Sequence, residues 1–204
     1  MNDVIETDRY LHACKKPFWR QVFAAECDYL RQHLLPEDKI LSVGCGPAII
    51  ESCLVEHGFS VVGLDVSQEV IACAPDTLRT LVADAEKMPF DAEKFDVVLF
   101  IVSLQFIGNY QQALQEAARV LKPSGRVIAM LLNTGSAFFK EKQEQADSYV
   151  RHIKHSSTTE LEAAGAECFA IQGEYFLGIS DEGIFPSHDP MTAALYILLG
   201  QKKL

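Results

Sequence analysis

The sequence predicts an α/β fold: a doubly wound, mostly parallel sheet of seven strands with an antiparallel edge strand. Three observations predict it. Short β-branched and aliphatic runs alternate with helical stretches from Lys39 onward. Each run is apolar without polar alternation, as in strands covered on both faces. Strict strand–helix alternation closes through right-handed crossovers into a parallel sheet.

The five runs are Ile40 to Val43, Ser60 to Leu64, Leu78 to Ala83, Phe95 to Val102 and Val127 to Leu132. Helices are expected over Pro47 to Glu56, Ser67 to Ala74 and Tyr110 to Leu121, the last stopped by Lys122-Pro123-Ser124-Gly125. Residues 1–36 read as helical, with Phe18, Val22, Phe23, Leu30 and Leu34 recurring at helical spacing before Pro36. Beyond Leu132 a charged helix is expected over Ser136 to Arg151 and another over Ser157 to Ala164, ended by Gly165. Two further strands, Ala166 to Gln172 and Ala193 to Leu199, flank the acidic, Gly- and Pro-containing loop Asp181 to Pro190 and suit an antiparallel pair. The 204 residues are read as one domain: a helical lid over 1–36, a ligand-binding core over 38–132 and a variable part over 133–204 that completes the sheet.

Hydrophobic residues make up 49% and charged residues 23%, an ordinary globular balance that excludes whole-chain disorder. No run approaches the roughly 18 continuous apolar residues of a membrane span. Met1-Asn2-Asp3-Val4-Ile5-Glu6 has acids where a secretory signal has bases, so a cytoplasmic location is expected, with no membrane association. The net charge of -10, without a basic stripe, argues against a nucleic-acid partner. Six scattered cysteines form no Cys-x-x-Cys pair, so no metal site is expected and all six are read as reduced thiols.

The first strand runs directly into Gly44-Cys45-Gly46-Pro47-Ala48. A glycine turn between strand and helix lets a ligand approach the backbone amides closely. The loop alone does not discriminate among phosphate, dinucleotide and adenosyl ligands. Ile49 stands where a dinucleotide loop has its third glycine, and no Gly-Lys-Ser/Thr follows, which disfavours nicotinamide and nucleotide-phosphate readings. Asp65 ends the second strand about twenty residues beyond Gly44, where a carboxylate can accept two hydrogen bonds from a ribose diol. Asp84 ends the third strand, where an acid can accept an adenine amine. All three features project to one sheet edge, at the point where open sheets bind ligands.

With Met88-Pro89-Phe90 before Phe95-Asp96-Val97-Val98-Leu99, and Ala118-Arg119-Val120-Leu121-Lys122-Pro123-Ser124-Gly125, the chain resembles the class I S-adenosylmethionine-dependent methyltransferases over about Asp38 to Leu132. The resemblance implies a Rossmann-like fold and S-adenosylmethionine as cofactor. It implies that Gly44, Cys45 and Gly46 contact the methionine part, Asp65 with Val66 the ribose, Asp84 with Ala85 the adenine, and the backbone around Phe100 the methionine amine. Relatives often carry an Asn and a His-His pair after the fourth strand, where this chain has Ile101, Gln105 and Phe106. No Asn/Asp-Pro-Pro-Tyr motif occurs there, which argues against methylation of nucleic-acid bases.

Methyl transfer from a sulfonium needs alignment first, and a base only where the acceptor must lose a proton. Base candidates are Tyr149, His152, His155, Tyr175 and His188, and none is singled out as catalytic. Tyr10, Phe18, Trp19, Phe138 and Phe139 are candidates to cover the cofactor or line an acceptor pocket, or to pack as core. Cys45 has no evident His partner and reads as a small tolerated residue. The function expected is methylation of a small organic acceptor; the alternative is a methyltransferase fold that binds cofactor or a protein partner without catalysis.

Overall fold

Helix α1 (Pro17–His33) begins with Pro at N1, where the missing N–H costs no hydrogen bond. The computed structural model describes residues 14, 16–146, 148–180 and 182–203; Tyr10 of the expected lid lies outside them. The elements that follow are β1 (Lys39–Val43), α2 (Ile49–Glu56), β2 (Ser60–Asp65), α3 (Gln68–Ile71), β3 (Arg79–Val82), β4 (Phe95–Ile101) and α4 (Tyr110–Val120). Next come β5 (Leu121–Leu132), α5 (Ala137–Glu144), a 3-10 turn at Tyr149–His152, α6 (Thr158–Cys168), β6 (Phe169–Ser180), β7 (Gly183–Phe185) and β8 (Ala193–Lys202).

The sheet runs β3-β2-β1-β4-β5-β8-β6-β7. Its first five strands pair in parallel, and β8, β6 and β7 pair antiparallel. The chain moves outward from β1 to β2 and β3, then returns to place β4 on the other side of β1. The loops after β1 and β4 therefore diverge and leave a crevice at the carboxyl ends of the strands. Side chains of β4 alternate between two cores: Val98 and Phe100 pack with Leu41, Leu114 and Phe169, while Val97 and Leu99 pack with Leu30, Ile40 and Leu54. Burial on both faces is why this strand reads as a continuous apolar run.

Helix α4 buries Tyr110, Ala113, Leu114 and Ala117, the i, i+3, i+4, i+7 stripe, and the Asn109 side chain caps it by accepting from the Gln112 amide at 3.0 Å. It ends at Val120. Strand β5 pairs at once through Leu121↔Phe95 and again from Arg126↔Val97, so Pro123, Ser124 and Gly125 form a bulge rather than a separate loop.

Several expectations change. Among the described residues the sheet has eight strands, because Gly183–Phe185 of the expected acidic loop folds back onto β6. The expected helix over Ser136 to Arg151 stops at Glu144, and the chain re-enters so that Val150 is buried. Gly165 does not end α6. It sits inside the helix, where a Cβ would lie 3.3 Å from Ile171 Cδ1, so the small residue permits close packing on β6. The six cysteines are not all free: Cys27 of α1 and Cys53 of α2 form a disulfide, which spacing could not reveal because tertiary packing creates the pair. Among the described residues no helix is long and apolar enough to cross a membrane.

Candidate active site

The glycine loop is built from left-handed backbone. Gly44, Gly46 and Ala48 have φ of 73, 54 and 59°. A Cβ on Gly44 would lie 2.5 Å from Ser103 Cβ, so glycine is required there by space as well as by φ. Ser103 follows β4 and its hydroxyl donates to the Val43 carbonyl at 2.5 Å, which ties the two diverging loops together. The amides of Gly44 and Cys45 donate to the Leu64 carbonyl at 2.7 and 3.1 Å.

Asp65 accepts from the Gly46 amide at 2.9 Å and the Ser67 amide at 3.0 Å. It is a turn acid and a brace for the loop at once, and carboxylate oxygens retain lone pairs for further donors. Val66 beside it is an apolar side chain 73% exposed. Asp84 is exposed and accepts from the Glu86 amide at 2.9 Å, with Ala85 buried beside it. Phe100 is fully buried in the core, and Ile101 and Val102 are the β4-end residues that reach the adjoining cavity.

That cavity, of about 390 Å³, opens from Gly44, Cys45 and Gly46 towards α1, α5 and the 149–152 turn. Its aromatic wall comprises Trp19, Phe23, Phe106, Phe138 and Tyr149. Trp19 stacks on Phe23 at 6.1 Å and meets Phe138 edge-on at 6.3 Å, while Phe106 stacks on Tyr149 at 6.2 Å. Val102 and Leu177, which also line it, have φ of 50 and 65°, a conformation that non-glycine residues hold only where surrounding structure enforces it.

Two carboxylates line the same cavity. Glu26 is 4% exposed and Glu51 is 2% exposed. Burial raises the Glu26 pKa from the ordinary 4.5 to about 8, helped by the charge of Glu51. Burial also raises Glu51, to about 7, against the lowering effect of a 2.5 Å hydrogen bond from Ser42. Motif and spacing had singled out neither residue. A signal for Glu26 was present: Trp19, Val22, Phe23 and Glu26 follow i, i+3, i+4, i+7, so an acid occupies the fourth place of a buried helical stripe.

The base candidates separate. Tyr149 and His152 line the cavity, and burial, with the charge of Glu26, pushes the Tyr149 phenol well up. His155 lies against the Ile107 and Gly108 carbonyls, and the His188 ring against the Tyr175 carbonyl; Tyr175 packs on Tyr196. Gln105, where relatives often have His, is fully buried. Its side-chain amide donates to the Leu132 carbonyl at 3.1 Å and accepts from the Leu132 amide at 2.6 Å, so the position serves as a structural clamp. Burial pushes the Cys45 thiol up, which removes the thiolate a nucleophile needs. The Cys27 and Cys53 sulfurs and the His57 ring lie within 4.8 Å of one another, but the sulfurs are bonded to each other and offer no thiolate to a metal.

Residues 41–129 match the methyltransferase-domain family. The chain is 31% identical over 160 residues to the biotin biosynthesis bifunctional protein BioHC of Cellvibrio japonicus, covering 74% of this chain but about a third, 32%, of that protein's length. It is 24% identical over 174 residues to the ubiquinone biosynthesis O-methyltransferase of Coxiella burnetii, covering 76% of this chain and 74% of that one. Its backbone superimposes with a TM-score of 0.79, at 20% identity, on a Thermotoga maritima structure described as a SAM-dependent methyltransferase, possible histamine N-methyltransferase, covering 98% and 99% of the two chains. With the glycine loop, the acids at successive strand ends and the strand order in place, residues 41–129 form a methyltransferase domain on a fold shared with S-adenosylmethionine-dependent methyltransferases.

Proposed function

We propose that this protein transfers the methyl group of S-adenosylmethionine to a small organic acceptor held in the aromatic cavity. The observation that carries this is continuity: the cavity that begins at Gly44 and Gly46 is the one walled by Trp19, Phe106 and Phe138. Donor methyl and acceptor atom must meet in line, and one cavity offers both a place. The donor set also fits the cofactor. S-adenosylmethionine carries a sulfonium and an ammonium, and the cavity offers two buried carboxylates with no Lys or Arg among its described lining residues.

In this reading Gly44, Cys45 and Gly46 hold the methionine part and Asp65 takes the ribose hydroxyls. Val66 covers the adenosine, Asp84 with Ala85 reads the adenine, and the backbone around Phe100 faces the methionine amine. Glu51, beneath the loop, joins this set as a carboxylate for the ammonium. The bound cofactor supplies an activated methyl group; the protein's residues align it, exclude water and hold protons. The net charge of -10 and the apolar walls support a small-molecule acceptor over a nucleic acid. The residues outside 38–132 then act as cover.

Titration calorimetry with S-adenosylmethionine, S-adenosylhomocysteine and NAD tests the cofactor reading, followed by transfer of labelled methyl across an acceptor panel. Binding of the adenosyl compounds with turnover is expected. Binding of NAD alone overturns the proposal, and cofactor binding without transfer to any acceptor reduces it to the non-catalytic alternative.

A further inference from the structure

Glu26 is left over when the cofactor has been seated. The charged groups along the cavity have an order: Asp65 and Glu51 are close enough to Cys45 to raise its thiol, Glu51 to raise Glu26, and Glu26 to raise Tyr149. Glu51 is held at the loop end by its hydrogen bond from Ser42 of β1, and Glu26 shares the cavity-lining stripe of α1 with Trp19 and Phe23, at the end walled by aromatic rings.

We propose that the acceptor is an amine with an apolar, ring-bearing body, and that Glu26 binds its ammonium and takes its proton before methyl transfer. This rests on the methyl-transfer reading above. Glu26 is nine-tenths buried, lines the cavity, and has no hydrogen-bond donor or cation against its carboxylate among the described residues. In its ionised form a buried carboxyl group in that condition is costly, and a cation relieves the cost where a neutral hydroxyl does so only in part. Aromatic faces at Trp19, Phe106 and Phe138 add cation–π attraction for an ammonium and apolar contact for the ring beyond it. An anionic acceptor would meet two carboxyl groups and no Lys or Arg among the described lining residues.

The chemistry balances. The ammonium gives one proton to a Glu26 oxygen, which frees the nitrogen lone pair. That pair forms the bond to the methyl carbon as the carbon–sulfur bond breaks, its electrons staying on sulfur. The products are the N-methylated ammonium and S-adenosylhomocysteine, and the Glu26 proton leaves to solvent. A carboxylate whose proton affinity lies far above the ordinary carboxyl range is suited to that exchange near neutral pH.

The test uses the protein loaded with S-adenosylhomocysteine and three probes of one shape: 2-phenylethylamine, 2-phenylethanol and 3-phenylpropionate. Calorimetry gives affinity, and fluorescence of Trp19, the single tryptophan, reports entry into the cavity. The amine should bind at least roughly tenfold tighter than the alcohol, with the carboxylate weakest. Glu26→Gln should remove that order while retaining S-adenosylhomocysteine affinity, and labelled methyl should pass to amines of this class. Preference for the alcohol or carboxylate in cofactor-loaded wild type overturns the inference and leaves the methyl-transfer reading standing. A Glu26→Gln variant with the wild-type preference does the same. Failure of the wild type to bind either adenosyl compound fells both. The wild-type ligand series decides the question without any variant.

Discussion

Glu26 on α1 lies close enough to Glu51 on α2 for the charge of Glu51 to add to burial in raising the proton affinity of Glu26. Both carboxylates bind a proton more tightly folded than unfolded, so their contribution to stability is fully present below about pH 4.5 and is lost as pH rises through about 7 and about 8. The groups facing Glu26 are Glu51 and Tyr149, with Cys14, Cys45 and His152 also on the cavity wall.

Melting of the ligand-free protein from pH 5 to pH 9 should therefore show a falling midpoint, each group costing about 1.4 kcal/mol per pH unit inside its window. Glu26→Gln should flatten the slope and melt above wild type at pH 8.5, with little difference near pH 4.5. A parallel pH profile for variant and wild type would show that Glu26 is not buried as an acid.

Gly44→Ala places a methyl 2.5 Å from Ser103 Cβ on a backbone of φ 73°. The expected cost is about 2–4 kcal/mol of stability, with cofactor affinity lowered at least roughly tenfold because the loop must shift. Gly58→Ala, at φ 91° with nothing within 4 Å of the added carbon, bears only the backbone penalty of about 1 kcal/mol. Ser103→Gly in the Gly44→Ala background should recover part of the loss by removing the clashing carbon. Denaturant midpoints of the three variants check this, and no recovery in the double variant would place the strain in φ alone.

Asp65→Ala removes the acceptor for the Gly46 and Ser67 amides and for any ribose hydroxyl. Cofactor affinity should fall by about 1–3 kcal/mol, or roughly 5- to 150-fold in Kd. Asp65→Asn keeps one carbonyl oxygen and should lose less. Calorimetry on folded variants measures both, and unchanged affinity in the alanine variant would reduce Asp65 to its turn role.

The legible part of this molecule is the part encoded locally. Ile40 to Val43, Phe95 to Val102 and the stripe of α4 declare strand and helix through their own periodicity, and Gly44-Cys45-Gly46 declares its turn through residues tolerant of positive φ. The acceptor end is different in kind. Glu26, Phe106, Phe138 and Tyr149 come from four separate segments, and only the folded sheet brings them to one cavity. Glu26 carried a faint local signal, an acid on an apolar stripe, which exposure of a lid helix would have explained equally well. Gln105 and the β7 strand were illegible because their roles are set by partners, the Leu132 backbone and β6, remote in sequence.

The Cys27–Cys53 bond belongs to that non-local class and couples to the site through its neighbours. Cys27 follows Glu26 directly, and Cys53 stands two residues beyond Glu51, so the bond ties the helices that carry the two cavity carboxylates. Closing a loop with a sequence separation of 26 is worth about 3 kcal/mol in the chain-entropy account. A chain of this size should then lose roughly 6–12 °C in Tm on reduction. Thiol titration of the denatured, unreduced protein should count four thiols, those outside the Cys27–Cys53 bond, and six after reduction. Because α1 also carries Trp19 and Phe23, reduction should weaken binding of an aromatic acceptor more than binding of the cofactor, which the β1 and β2 loops hold. A count of six in protein purified without reductant, with an unchanged Tm on adding reductant, would show the two helices are held by packing alone.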